Sequence, residues 1–135
     1  TIGGELIDLT RITQPLYAVS CADDHIVPWQ QSYRIRHHVN EKTSVRYVLS
    51  TSGHIFGIVN PVVTPPKRSF WVAEPTSNEA SEHWLARAPK AAGSWWPDWL
   101  AWLAPQCGPM VDAPNVKVKT YPDLGQAPGT YVFES

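Results

Sequence analysis

This chain of 135 residues is poor in cysteine and in charged residues. It has two cysteines and 17% charged residues, and its 11 basic and 12 acidic side chains give a net charge of −1. Two cysteines cannot form the disulfide framework of a small secreted domain, and their usage fits a reducing cytoplasm. The charge offers no attraction for nucleic acid, and no run approaches the roughly 20 apolar residues of a membrane span. We therefore expect no nucleic-acid partner and no membrane span.

Metal and cofactor sites are also not indicated. Neither cysteine has a second ligand at a metal-binding spacing, and no two histidines share a helical i, i+4 spacing with a supporting carboxylate. We expect neither a metal nor a cofactor.

Apolar residues, proline and tryptophan are abundant instead. The chain is 43% hydrophobic and has 13 prolines and seven tryptophans, which indicates one packed globular domain. The prolines of the second half predict long loops and short helices. The tryptophans imply a wide apolar surface with polar margins, either as core or as a face for an apolar partner.

The first half of the chain has the pattern of a parallel crossover. Apolar runs at residues 14–20 and 45–50 predict two buried strands. Pro28 suits the first turn of a helix over residues 28–39. The predicted buried stripe of this helix consists of Trp29, Tyr33, Arg36 and Val39. A strand, a helix and a strand of these lengths predict parallel pairing and an α/β fold.

The second half predicts short helices between loops. We expect a loop over residues 62–80 with a possible strand near 69–72, and helices over 82–88 and 96–104. The candidate N-caps are Asn78 or Ser81 for the first helix and Ser94 for the second. Residues 105–135 read as an extended tail, with a possible hairpin that pairs 116–121 with 130–133.

Each predicted strand is followed at once by a turn that carries a chemically useful side chain. Asp24 follows the first strand and His54 follows the second, 30 residues later. The carboxyl ends of parallel strands meet at one edge of a sheet, so we expect these side chains to meet there. A catalytic histidine needs a carboxylate to fix its tautomer, and α/β-hydrolases present nucleophile, acid and histidine in this order. Gly53 would allow a sharp turn before the histidine.

The same residues have simpler interpretations. Asp23 and Asp24 could both be turn formers, and His54 could be a surface-loop histidine. Asp24 is the better candidate acid because it lies further beyond the strand end. The residues before it contain no nucleophile elbow, so we expect the C-terminal segment of a larger α/β-hydrolase-type enzyme, with residues 1–104 in its catalytic domain.

Three motifs together resemble the C-terminal part of the polyhydroxyalkanoate synthases. They lie at residues 24–29, 52–61 and 93–99, and the resemblance runs from about Gly3 to about Leu103. The Trp-Trp-Pro-Asp-Trp sequence at residues 95–99 is similar to the class I members.

The resemblance implies an acyltransferase that polymerises 3-hydroxyacyl-CoA into a polyester and releases CoA. The family nucleophile is a cysteine in a G-x-C-x-G box, which this chain lacks. His54 matches the histidine that activates the thiol, and Asp24 matches the catalytic aspartate, which either orients the histidine or deprotonates the 3-hydroxyl. His25 matches a histidine beside that aspartate, with a supporting role.

For the full-length enzyme, the resemblance implies a cytoplasmic homodimer associated with polyester granules. We expect this chain on its own to be inactive, because its nucleophile lies upstream. Two other functions remain open from the sequence. One is a fragment of a serine ester hydrolase or polyester depolymerase, and the other is a non-catalytic granule-binding or protein-binding module that uses the tryptophan surface.

Overall fold

A mixed four-stranded sheet forms the centre of the computed structural model, which describes residues 1–114 and 125–134. The strands are β1 (Leu16–Cys21), β2 (Val45–Ser50), β3 (Ser69–Ala73) and β4 (Lys90–Ala92), and they lie side by side in that order. β1 and β2 are parallel, whereas β3 and β4 are each antiparallel to the strand before. The parallel pairing predicted for the first two strands is confirmed, and the mixed sheet with its helices is compatible with the predicted α/β class.

Four short α-helices accompany the sheet in the part of the chain that the structure describes. They are α1 (Trp29–Tyr33), α2 (Ile35–His38), α3 (Ser81–Arg87) and α4 (Trp96–Leu103). The single helix predicted over residues 28–39 is therefore two, interrupted at Arg34, where ψ is −8°. The buried stripe predicted for residues 28–39 is correct, since all four of its side chains are buried. In the described ranges, no helix combines the length and the apolar character that crossing a bilayer requires.

The helices cover both faces of the sheet. On β2, Tyr47 and Leu49 pack with α1 and α3, whereas Val48 points the other way and packs with Trp95 at the start of α4. Side chains alternate between the faces of a strand, so a strand covered on both sides must be apolar along its length. This explains why five of the six residues of β2 are buried.

Trp84 of α3 is the centre of the larger core cluster. It is 0% exposed, and its ring packs against those of Trp29, Tyr33 and Tyr47 at centroid distances of 6.3, 5.7 and 5.0 Å. Its indole N–H donates to the carbonyl of Ala73 at 3.3 Å. Trp29, Trp84 and Trp95 thus belong to the core, whereas Trp99 is 36% exposed.

The predicted helix caps are not the N-caps of the structure. Neither Asn78 nor Ser81 caps α3, whose N-cap is Ala80 and has no side-chain bond. Asn78 instead has a left-handed backbone with φ of 65°, and Ser81 donates its hydroxyl to Glu82. The N-cap of α4 is Trp95 and not Ser94, although the hydroxyl of Ser94 accepts the backbone N–H of Trp96 at 3.1 Å.

The predicted hairpin of the tail is not formed as expected where it can be followed. Residues 116–121 lie outside the described residues. Tyr131–Phe133 form a 3-10 turn instead of a strand, with Phe133 N–H donating to the carbonyl of Thr130 at 3.0 Å. These local bonds satisfy the backbone groups that a partner strand would otherwise have to bind.

Replacing Trp84 by alanine should lower the free energy of unfolding by about 3–5 kcal/mol, since it leaves a cavity among three aromatic rings. The matched control is Trp99→Ala, which removes the same side chain from an exposed position and should cost about 1 kcal/mol or less. Urea unfolding followed by circular dichroism measures both. Equal losses in the two variants would contradict this description of the core.

Candidate active site

The register of β1 and β2 brings two turns to one edge of the sheet. Cys21 at the end of β1 lies opposite Ser50 at the end of β2. The pairing continues beyond the strands, where Ala22 N–H donates to the carbonyl of Ser50 at 2.8 Å and Asp23 N–H donates to that of Ser52 at 3.1 Å. The two turns are therefore joined to each other by backbone hydrogen bonds.

Asp24 and His54 meet at this edge. The imidazole Nδ1 lies 2.8 Å from Oδ2 of Asp24, which is a hydrogen-bond distance. The other carboxylate oxygen, Oδ1, accepts the backbone N–H groups of Ile26 and Val27 at 2.9 and 3.0 Å. The structure thus brings the predicted pair together, and Asp24 is also the turn former of the simpler interpretation.

These contacts fix the charge of Asp24. The backbone N–H of Val27, followed by His54, lowers the pKa of the Asp24 carboxyl to about 2, so it is ionised at neutral pH. An ionised carboxylate can only accept, so Nδ1 of His54 carries the hydrogen. In the neutral ring, Nε2 then presents a lone pair, and it has no hydrogen-bond partner among the described residues. The Asp24 side chain is 9% exposed and that of His54 is 48% exposed.

The sharp turn before the histidine is made by Ser52 and not by Gly53 as predicted. Ser52 has φ of 85°, in the left-handed region, and its N–H donates to Oδ2 of Asp23 at 3.2 Å. A Cβ on Gly53 would meet only the Asp23 carbonyl oxygen at 3.4 Å, which is an ordinary contact. Asp23 is thus not the acid of the pair, but it holds the histidine-bearing turn in place.

Gly57 is a position that the sequence reasoning missed. It lies in the segment of residues 53–59, which we name the His54 turn. A Cβ at this position would overlap Sγ of Cys21 and lie 2.9 Å from its Cβ. Only glycine allows the His54 turn to pack this closely on the end of β1. A lone glycine inside the apolar run of residues 55–59 is the sequence signal that could have revealed this close approach.

An open cavity of about 480 Å³ adjoins the pair. Asp24 and His54 both line it, and most of the rest of its wall is apolar. Those apolar lining residues are Val19, Cys21, Val27, Ile55, Ile58 and Val59. An imidazole with a free Nε2 at the wall of an apolar cavity can accept a proton from a group bound there.

Comparison with known proteins finds similar sequences. No family model matches the chain. It is 42% identical over 133 residues, 98% of its length, to the poly(3-hydroxyalkanoate) polymerase subunit PhaC of Cupriavidus necator. It is 39% identical over 96% of its length to poly(3-hydroxyalkanoate) polymerase 2 of Ectopseudomonas oleovorans, and 36% identical over 98% to the PhaC subunit of Rhizobium etli. Over nearly its whole length, the chain is therefore similar in sequence to part of the poly(3-hydroxyalkanoate) polymerases.

The chain spans only 20–23% of the length of these polymerases. The family resemblance drawn from the three motifs is confirmed, and the matched region runs almost to both ends of the chain.

The two cysteines of the chain are not placed as nucleophiles. Cys21 is 2% exposed, as predicted, and burial, followed by the charge of Asp24, raises the pKa of its thiol. A raised pKa keeps the thiol protonated and unreactive. Cys107 is exposed, and its thiol has no hydrogen-bond partner in the described ranges.

His25 is separate from the pair. It is exposed, and no hydrogen bond of its side chain is found in residues 1–114 and 125–134. Within those ranges, no three His, Cys, Asp or Glu side chains are grouped so that they could hold a metal ion.

Replacing Gly57 by alanine should lower the free energy of unfolding by about 1–3 kcal/mol, because the new methyl group overlaps Cys21. Gly108→Ala is the control, since a Cβ there has no neighbour within 4 Å, and it should stay within about 0.5 kcal/mol of the parent. Thermal or urea unfolding compares the two. A Gly57 variant as stable as the Gly108 variant would show that the close approach does not exist.

Replacing Asp24 by asparagine should give a stability loss that depends on pH. The folded-state pKa of about 2 lies below the ordinary value of 3.8, so the charged form stabilises the fold above pH 3.8. That contribution is lost as the pH falls from 3.8 towards 2. The difference in free energy of unfolding between the parent and Asp24→Asn should therefore be largest near pH 6. It should shrink as the pH falls from 3.8 towards 2. Urea unfolding at a series of pH values tests it, and a constant difference would rule out the charged contacts.

Proposed function

We propose that this chain is the C-terminal segment of the α/β-hydrolase-type catalytic domain of a poly(3-hydroxyalkanoate) polymerase, and that it supplies Asp24 and His54 for acyl transfer. The observation that carries the proposal is the 2.8 Å hydrogen bond between Nδ1 of His54 and Asp24 beside an apolar cavity, in a chain related to polymerases over nearly its whole length. The nucleophile in this proposal is a cysteine in the part of the polymerase that precedes this segment.

The first step loads the enzyme. His54 Nε2 accepts the proton of the cysteine thiol, and the thiolate attacks the thioester carbonyl of a 3-hydroxyacyl-CoA. The CoA thiolate leaves and takes a proton from the imidazolium, which gives free CoA and an acyl-enzyme thioester. The ionised carboxylate of Asp24 stabilises the imidazolium between the two proton transfers.

The second step extends the polyester. The 3-hydroxyl of another acyl group attacks the acyl-enzyme, an ester bond forms, and the cysteine thiolate is released. We assign the hydroxyl proton to His54 and not to Asp24. Support comes from the contacts of the carboxylate, because Oδ1 already accepts two backbone N–H groups and Oδ2 accepts the imidazole. Both oxygens of Asp24 thus already have donors, and a carboxylate with a pKa of about 2 is a weak base for a hydroxyl proton. In this proposal, Asp24 therefore orients the histidine.

Elongation also requires that water be kept from the acyl-enzyme, which it would hydrolyse. The apolar wall of the cavity supports this requirement. Ile55 of that wall is 64% exposed and the neighbouring Phe56 is 61% exposed, and both suit contact with an aliphatic polyester. We place the complete enzyme in the cytoplasm at the surface of polyester granules, as a homodimer.

Replacing His54 by alanine in the complete polymerase should reduce CoA release from 3-hydroxybutyryl-CoA by at least about 100-fold, because a general base contributes 10²–10⁴-fold. The matched control is His37→Ala, which removes an exposed histidine of α2 and should leave the rate within about twofold. The assay measures free CoA together with polyester formed.

Two outcomes would contradict the proposal. Equal rates in the His54 and His37 variants would remove His54 from the reaction. We also expect no CoA release from the 135-residue chain on its own, since the thiol of Cys21 is buried and that of Cys107 has no hydrogen-bond partner among the described residues. Measurable release by that chain would refute the assignment of the nucleophile to an upstream cysteine.

A further inference from the structure

The His54 turn is hydrogen-bonded to two side chains at the start of α4, the helix that covers one face of the sheet. The indole N–H of Trp95 donates to the carbonyl of Gly57 at 2.9 Å, and that of Trp96 donates to the carbonyl of Ile58 at 3.1 Å. These are adjacent tryptophans at the start of one helix, and they bind adjacent carbonyls of the turn that bears the histidine. Neither bond involves the imidazole or Asp24.

The backbone bonds of the turn leave the Gly57 carbonyl without a donor. Gly57 N–H donates to the Gly53 carbonyl at 2.9 Å, and Val59 N–H donates to the Ile55 carbonyl at 2.8 Å. The Ile58 carbonyl accepts the backbone N–H of Asn60 at 2.9 Å, whereas no backbone N–H of the described residues donates to the Gly57 carbonyl. A buried carbonyl without a donor is costly, and the bond from Trp95 to Gly57 is buried. Trp95 therefore supplies the missing donor, and Trp96 adds a second donor to the Ile58 carbonyl.

The helix that carries these tryptophans is itself tied to the sheet. Asp98 of α4 accepts the hydroxyl of Tyr17 at 2.8 Å and Nε of Arg46 at 2.9 Å. Tyr17 belongs to β1 and Arg46 to β2. A charged pair with two hydrogen bonds fixes orientation as well as distance. Hydrogen bonds therefore connect the two strands to Asp98, and the backbone of α4 connects Asp98 to the two tryptophans.

We propose that Trp95 and Trp96 are positioning residues that hold the His54 turn, and with it the imidazole, in register with Asp24. This inference rests on the proposed function for its effect on catalysis, although the fastening of the turn does not. The two tryptophans act through the turn and touch no reacting atom. Displacing a catalytic base by about 1 Å can cost two orders of magnitude in rate.

The decisive change keeps the aromatic ring and removes the donor. Trp96→Phe is the cleaner variant, because Trp96 is only partly buried, whereas Trp95 also packs in a core cluster with Val48 and Phe70. Trp102→Phe is the matched control. It makes the same substitution on the same helix, where the ring packs on Tyr17 at 5.3 Å and its indole N–H has no bond in the described ranges.

Two measurements on the complete polymerase test the inference. Hydrogen exchange followed by mass spectrometry should show faster exchange over residues 53–60 in Trp96→Phe and Trp95→Phe, with strand β2 unchanged in Trp96→Phe. In steady-state kinetics with 3-hydroxybutyryl-CoA, both variants should have a kcat about 10-fold below that of the parent and a KM within about twofold of the parent value. The Trp102→Phe variant should match the parent in both measurements.

The outcomes separate this inference from the proposed function. Exchange over residues 53–60 that stays at the parent rate in Trp96→Phe would overturn the inference, whatever the activity. Faster exchange with an unchanged kcat would also overturn it, because the turn would then move without affecting the reaction. If His54→Ala keeps full activity while Trp96→Phe shows faster exchange, the proposed function fails and the fastening of the turn stands.

Discussion

The parallel pairing of β1 with β2 is the constraint on which the site depends. Each strand delivers one member of the pair just beyond its last residue, so Asp24 and His54 meet only because Cys21 and Ser50 end in register. A slip of one residue would reverse the faces of a whole strand and separate the two turns. Coverage of both faces of β2 prevents that slip, since a shifted Tyr47 would leave its buried position between α1 and α3.

The carboxylate of Asp24 shows how a local turn and a long-range pair can share one side chain. One oxygen accepts the two N–H groups of its own turn, and the other accepts the imidazole. The local bonds orient the carboxylate independently of the histidine and help to keep it charged, so the long-range bond joins the imidazole to an oriented partner. A more flexible acid would lose side-chain entropy on forming the same bond.

The sequence predicts the features that local pattern controls. The strands β1 and β2, the buried stripe from Trp29 to Val39 and the meeting of Asp24 with His54 follow from apolar runs and chain order. The features it missed arise from contacts between distant residues. β4 is three exposed residues that pair with β3, Gly57 is required by the side chain of Cys21, and the bond from Trp95 to Gly57 joins residues 38 positions apart. The helix break at Arg34 and the uncapped start of α3 have no pattern of their own in the sequence.

The two members of the pair are held from opposite faces of the sheet. The turn of Asp24 leads into α1, whose Trp29 lies in the core cluster with Tyr47 and Trp84. The His54 turn is bonded to Trp95, which lies in the cluster on the other face with Val48 and Phe70. The hydrogen bond between Asp24 and His54 therefore spans two packing layers. Its 2.8 Å length requires both layers to be in place, which makes the geometry at the sheet edge a property of the whole described fold and not of two loops.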